Sequence, residues 1–129
     1  MDLKNYFEEN RGFGVLASAD GQGYVDAAVY SRPHVQDDGS VAFIMRDRLT
    51  HANIQTNPQA TYLFREDKPG YRGLRLFMTK VSESEEGAQI QALLRRQKPD
   101  PELVGEKRYL VHFRVDKVLH LIGGEEIGD

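Results

Sequence analysis

The sequence predicts a mainly β domain, a small closed or partly closed antiparallel barrel with few helices. Three observations lead there. Six or more short apolar runs follow one another, separated by turns rich in Gly, Asp and Pro. One segment has a clear period of two: Tyr109, Val111, Phe113 and Val115 alternate with Leu110, His112, Arg114 and Asp116. Finally, strands and helices do not alternate regularly, which argues against a doubly wound parallel sheet.

Each element has a local reason. Leu3, Tyr6 and Phe7 fall at i, i+3 and i+4, so a short amphipathic helix opens the chain. Asn10-Arg11-Gly12 stops it, with Gly12 free to take a left-handed conformation. Residues 13–19 and 24–30 form two apolar strands. Asp20-Gly21-Gln22-Gly23 between them predicts an antiparallel hairpin. Residues 41–45 lack polar alternation and read as a strand buried on both faces. Leu49, Ala52 and Ile54 then mark a short helix, stopped near Pro58. Residues 60–64 and 74–81 are further strands, joined by a mobile loop over 65–73. Ser82 with Glu85 reads as a capping box. It opens a helix whose apolar face is Ile90, Leu93 and Leu94, ended by Lys98-Pro99-Asp100-Pro101. The period-two strand follows, and residues 118–122 continue it or add another before Gly123-Gly124 and an acidic tail.

Composition narrows function. A chain of 129 residues holds one domain. Its 17 Lys and Arg against 20 Asp and Glu give a net charge of −3, contrary to the basic face of a duplex nucleic-acid binder. No apolar run is long enough to span a membrane, and the N-terminus lacks the pattern of a signal peptide, so a cytoplasmic location is expected. Cysteine is absent, which removes disulfides, thiolate metal sites and cysteine nucleophiles at once. His34, His51, His112 and His120 form no metal-binding spacing, and no metal is expected. Ser18 and Ser31 lack a nucleophile-elbow context, and no paired carboxylates stand out. Gly12, Gly14, Gly21 and Gly23 belong to turns rather than to a dinucleotide fingerprint. With so little chemistry of its own, an enzyme built on this chain would rely on a bound cofactor.

The segment from Phe43 to Ile54 carries the strongest signal. A buried strand runs into Arg46 and Arg48, then Thr50, then a helix start. Helix N-termini offer free amides and a positive dipole end, and guanidinium forks bind phosphate oxygens. These residue types in this order fit a phosphate site. They equally fit two solvated arginines beside a threonine cap. His51 lies in the same segment, as a helper or a surface side chain.

These residues make the chain resemble the FMN-binding split barrels related to pyridoxamine 5′-phosphate oxidase. The likeness spans about Tyr6 to Gly123. It rests on the hairpin 14–18 with 24–30, on the strand Phe43-Ile44-Met45, and above all on the segment 49–60. There the pattern Thr-x-x-Asn-aliphatic-x-x-Asn-Pro-x-Ala precedes an apolar strand. The resemblance implies a six-stranded antiparallel split β-barrel with short flanking helices, working as a homodimer with FMN at the subunit interface. It implies that Arg46, Arg48, Thr50 and Asn53 hold the FMN phosphate. The strand Asp26, Ala27, Ala28, Val29 and Tyr30 would lie along the ring and ribityl chain, and Ile44 and Met45 would present main-chain amides. Leu49-Thr50-His51 stands where many relatives carry a lysine. The missing Trp and the Gly-Gly-Glu-Glu ending argue against vitamin B6 oxidation. An FMN-dependent oxidoreductase acting on a small substrate is expected. A non-catalytic flavin or electron carrier, and a barrel that has lost its cofactor, are the alternatives; related barrels also hold deazaflavin or haem.

Overall fold

The computed structural model describes residues 1–85 and 107–128. Its elements are α1 (Leu3–Glu9), β1 (Gly12–Ala19), β2 (Val25–Val29), β3 (His34–Val35), β4 (Val41–Arg46), α2 (Leu49–Thr56), β5 (Gln59–Glu66), β6 (Gly73–Glu85) and β7 (Arg108–His120). All strand pairings are antiparallel, in the order β2-β1-β5-β6-β7-β4-β3. The fold is the mainly β split barrel expected, with seven strands in place of six because the two-residue β3 pairs with β4.

Alternation explains how the sheet curls around a core. Leu16, Tyr62, Phe64, Leu74, Leu76, Met78, Val111 and Phe113 point inward from β1, β5, β6 and β7 and are buried. β4 is covered on both faces along Val41-Ala42-Phe43, as its unbroken apolar run predicts. Two register shifts in the β6–β7 ladder, at Phe77/Met78 and Lys80/Ser82, add local twist to the longest strands. The curl brings β2, at one end of the sheet, toward β4 near the other. The Tyr30 and Phe43 rings meet edge to face at 6.0 Å across that gap.

Two helices pack on the barrel. Asp2 caps α1 by accepting from Asn5 N at 3.1 Å, and Leu3 and Phe7 enter the core as predicted. Gly12, however, does not supply a left-handed helix stop; α1 ends on Asn10 in an extended conformation, and Gly12 begins β1. It is needed there because a Cβ would stand 2.1 Å from the Arg65 carbonyl oxygen. The hairpin turn after β1 forms as expected, with Gly23 at φ +91° and Asp20 Oδ1 accepting from the Gln22 and Tyr24 amides.

Two expectations are corrected. Residues 82–85 do not open a helix: β6 continues through Glu85, paired with β7 from Tyr109 to His112. The remainder of that predicted helix, with Ile90, Leu93 and Leu94, lies outside the described residues. The short helix marked by Leu49, Ala52 and Ile54 forms as α2, but of those three only Ile54 is buried; Leu49 and Ala52 are exposed, and Thr50, His51 and Asn53 face in instead. Polar partners on the barrel decide which side faces in.

Candidate cofactor site

The gap between β2 and β4 is a cleft of about 470 Å³. Asp26, Ala28, Val29 and Tyr30 form one wall, and Phe43, Ile44 and Arg46 the other. Arg48, Leu49 and Thr50 close one end where β4 passes into α2, Arg108 joins them from β7, and Ser31, Arg32 and His34 complete the lining.

The strand-to-helix passage places the cations. Arg46 is the last residue of β4 and Arg48 is the extended residue before α2. Arg48 N donates to Arg46 O at 2.8 Å, which tightens the passage. The first backbone bond of α2 runs from Ala52 N to Arg48 O, so the amides before it belong to the open first turn. No side chain caps this end, so Thr50 is not a cap. It lies inside the helix and donates to Asp26 Oδ2 at 3.3 Å, tying α2 to β2. Arg108 stands directly across from Arg46 in the β4–β7 register. Facing register positions put both side chains on one face of the sheet, and both line the same end of the cleft. Burial raises the pKa of Tyr30 above that of an ordinary phenol; the Thr50 hydroxyl and the Arg46 charge pull it down, and Asp26 pushes it up. Tyr30 therefore stays neutral and can donate a hydrogen bond.

Of the residues the sequence selected, Arg46, Arg48, Thr50, Ala28, Val29, Tyr30 and Ile44 line this one cleft. Ala27 does not line it: strand alternation turns it to the exposed outer face of the sheet. The Met45 side chain is fully buried in the core, so only its main chain is at hand. Asn53 is buried as well, with Nδ2 donating to Ser18 Oγ at 3.1 Å, and lies outside the lining. Sequence reasoning missed Arg108, Arg32 and His34. Among the described residues no group of three or more His, Asp or Glu could hold a metal ion, and no helix is long and apolar enough to cross a membrane.

His51 also leaves the cleft, facing β6 and β7. Its ring stacks on Tyr109 with centroids 3.8 Å apart, and Nε2 lies 3.0 Å from Glu83 Oε2. Gln55 and Lys80 donate to the other Glu83 oxygen. Burial works against a charged Glu83 and is the largest single influence. The hydrogen bonds from Lys80, Gln55 and His51, with the His51 charge, together outweigh it and hold the carboxyl at about 2. The folded value lies below the usual 4.5. The stabilisation is thus complete above that pH and is lost as pH falls toward the folded value. Glu83→Gln is expected to cost about 1–2 kcal/mol at neutral pH, after discounting for solvent screening. Thermal melts across the acid range check this: the wild-type stability should fall more steeply than that of the variant, and parallel curves would refute the network.

No protein-family model matches the sequence, and no curated protein does. Solved structures do match. An FMN-binding protein from Syntrophomonas wolfei superposes with a TM-score of 0.73 at 18% identity, over 95% of this chain and 86% of that one. HupZ from Group A Streptococcus gives 0.70 at 20% identity, over 98% and 97% of the two chains. The haem storage protein HutZ from Vibrio cholerae gives 0.66 at 13% identity, over 90% of each. The chain therefore has the split-barrel fold of the pyridoxamine 5′-phosphate oxidase-like proteins.

Proposed function

We propose that this chain is a flavoprotein that binds FMN in the cleft between β2 and β4, with the phosphate at the Arg46, Arg48 and Arg108 end. The convergence of these three arginines with Thr50 and the open first turn of α2 carries the reading. A dianionic phosphate matches such a set of charged forks and amides. The cleft volume falls within the ~300–1,000 Å³ of small-molecule sites. Apolar Ala28, Val29 and Ile44 would flank a flat ring system and exclude water from it, and neutral Tyr30 adds a donor. FMN, when bound, supplies one- and two-electron transfer, chemistry the chain lacks by itself. The finer reading is an oxidoreductase acting on an unknown small substrate.

Purified protein titrated with FMN, deazaflavin F420 and haemin, followed by absorbance and fluorescence, tests this. Saturable FMN binding that is lost on removing the arginines supports it. Preferential haemin binding that depends on His34 would replace it with a haem reading, the one the likeness to HutZ favours. Colourless protein that binds none of the three would mark a barrel without a cofactor. With FMN bound, reduction by NAD(P)H followed by turnover of an acceptor separates an enzyme from an electron carrier.

The protein would act as a homodimer. The outer face of β2 and β1 exposes Val25 (85%), Val29 (68%) and Phe13 (58%). Ala17 and Ala27 pair between them in the ladder and are exposed too. Monomeric proteins rarely leave so continuous an apolar face to water. A second copy packed by two-fold symmetry would cover it, and because Val29 also lines the cleft, would wall the open side of the cofactor site. Ala17→Asp is expected to halve the mass seen in sedimentation and weaken FMN binding with it. An unchanged mass would place the interface elsewhere.

A further inference from the structure

The cleft has a second cationic corner that one phosphate does not explain. Ser31, Arg32 and His34 line it, and they also line a neighbouring cleft of about 880 Å³ beneath α1. The two clefts therefore meet at this segment. Arg32 is held there before any ligand arrives: its Nη1 donates to Phe7 O and, at 3.1 Å, to Asn10 O, the carbonyls at the end of α1. Helix C-termini favour a cation at this place. One edge of the guanidinium is thus fixed to the helix, while the half-buried side chain borders both clefts. Fixing the fork in advance removes much of the side-chain entropy that binding an anion would otherwise cost. The surroundings repeat the sign. Lys4 and Arg11 line the second cleft against a single carboxylate, Glu8, in a chain whose net charge is −3.

We propose that Arg32, assisted by Ser31 and His34, binds the carboxylate of a small organic acid that enters through the cleft under α1. This names the second molecule of the cofactor site and in that respect rests on the FMN reading. One planar guanidinium edge with a neighbouring hydroxyl suits the two oxygens of a carboxylate. A phosphate dianion belongs at the other end, where three guanidinium groups gather. A residue that only capped α1 would show no such selectivity.

The test uses cofactor-free, isotopically labelled full-length protein at constant ionic strength. Benzoate and inorganic phosphate are titrated separately, and the Arg32 side-chain signal and the Ser31 and His34 amides are followed by NMR. Benzoate is expected to give saturable shifts at these three positions. The shifts should persist in the Arg46→Ala/Arg48→Ala protein and weaken at least tenfold in Arg32→Gln. Should Arg32→Gln fail to fold, Ser31→Ala leaves the α1 contacts in place and should weaken benzoate about threefold. Absent or non-saturable benzoate shifts would overturn the proposal. So would shifts that survive in both the Arg32 and Ser31 variants, or phosphate acting on residues 31–34 as strongly as benzoate. Phosphate shifts at Arg46, Arg48 and Thr50 report on the FMN reading alone. Their absence would count against that reading while leaving the benzoate result to stand.

Discussion

Replacing Arg46 and Arg48 together by alanine is expected to weaken FMN binding by about two to four orders of magnitude while the barrel stays folded. Each charged hydrogen bond contributes ~1.5–3 kcal/mol, so losing both arginines removes about 3–6 kcal/mol of binding. The two are unequal. Arg46 is half-buried with Nε out of solvent, whereas Arg48 is exposed. Coulombic attraction is stronger where water is excluded, so Arg46→Ala alone should cost more than Arg48→Ala. Folding is expected to survive because the backbone roles of both residues are kept in the variant. Arg46 holds its place in the β4–β7 ladder, and the Arg48 carbonyl accepts the first bond of α2. Fluorescence titration gives the affinities and thermal melts the fold. Equal FMN affinity in the double variant and wild type would remove the phosphate from this end of the cleft.

The strands were readable because each depends on local alternation and on turn residues adjacent in the chain. β1, β2, β4, β5 and β7 begin and end within a residue or two of the predicted limits, as burial of one face requires. The errors arise where a distant partner decides. Ser82 and Glu85 have capping-box spacing, yet their backbones pair with β7 after a register shift that no local pattern announces. β3 is too short to show a period. In α2 the buried side is polar because Ser18 and Glu83 wait on other strands to meet Asn53 and His51. A hydrophobic count cannot see such pairs. The cofactor end divides in the same way. Arg46, Arg48 and Thr50 are close in sequence and were legible as a unit. Arg108 joins them only through the β4–β7 register, and Arg32 only through the fold of α1 over the barrel. Ala27 shows the limit of assigning a whole strand to a ligand: its side chain faces outward, and it alone of the stretch from Asp26 to Tyr30 is outside the cleft lining.

Gly14→Ala is expected to be strongly destabilising. A Cβ at Gly14 would lie 1.9 Å from the Tyr62 hydroxyl, 2.4 Å from its ring carbon and 2.6 Å from the Tyr30 carbonyl oxygen. Tyr62 is fully buried and packed against Phe7, Phe43 and Phe64, so it has no room to retreat. The space is left empty for a purpose. Tyr62 Oη donates to Tyr30 O at 3.1 Å, and Tyr30 N donates to Gly14 O at 3.0 Å. Together these bonds fix the end of β2, and with it the Tyr30 side of the cleft, to the core. Overpacking at such a site costs about 1–3 kcal/mol, and the buried hydroxyl left without its partner adds about 1–3 more. A loss of about 2–6 kcal/mol is therefore expected in chemical denaturation. Tyr62→Phe in the same chain removes the nearest clashing atom and the stranded donor. The double variant should recover part of the loss, giving a coupling of about 1 kcal/mol or more. Additive effects would show that Gly14 and Tyr62 act independently and that the β2 end is held by other contacts. FMN affinity should follow the same order, because the displaced carbonyl belongs to a residue that lines the cleft: wild type tightest, the double variant intermediate, Gly14→Ala weakest.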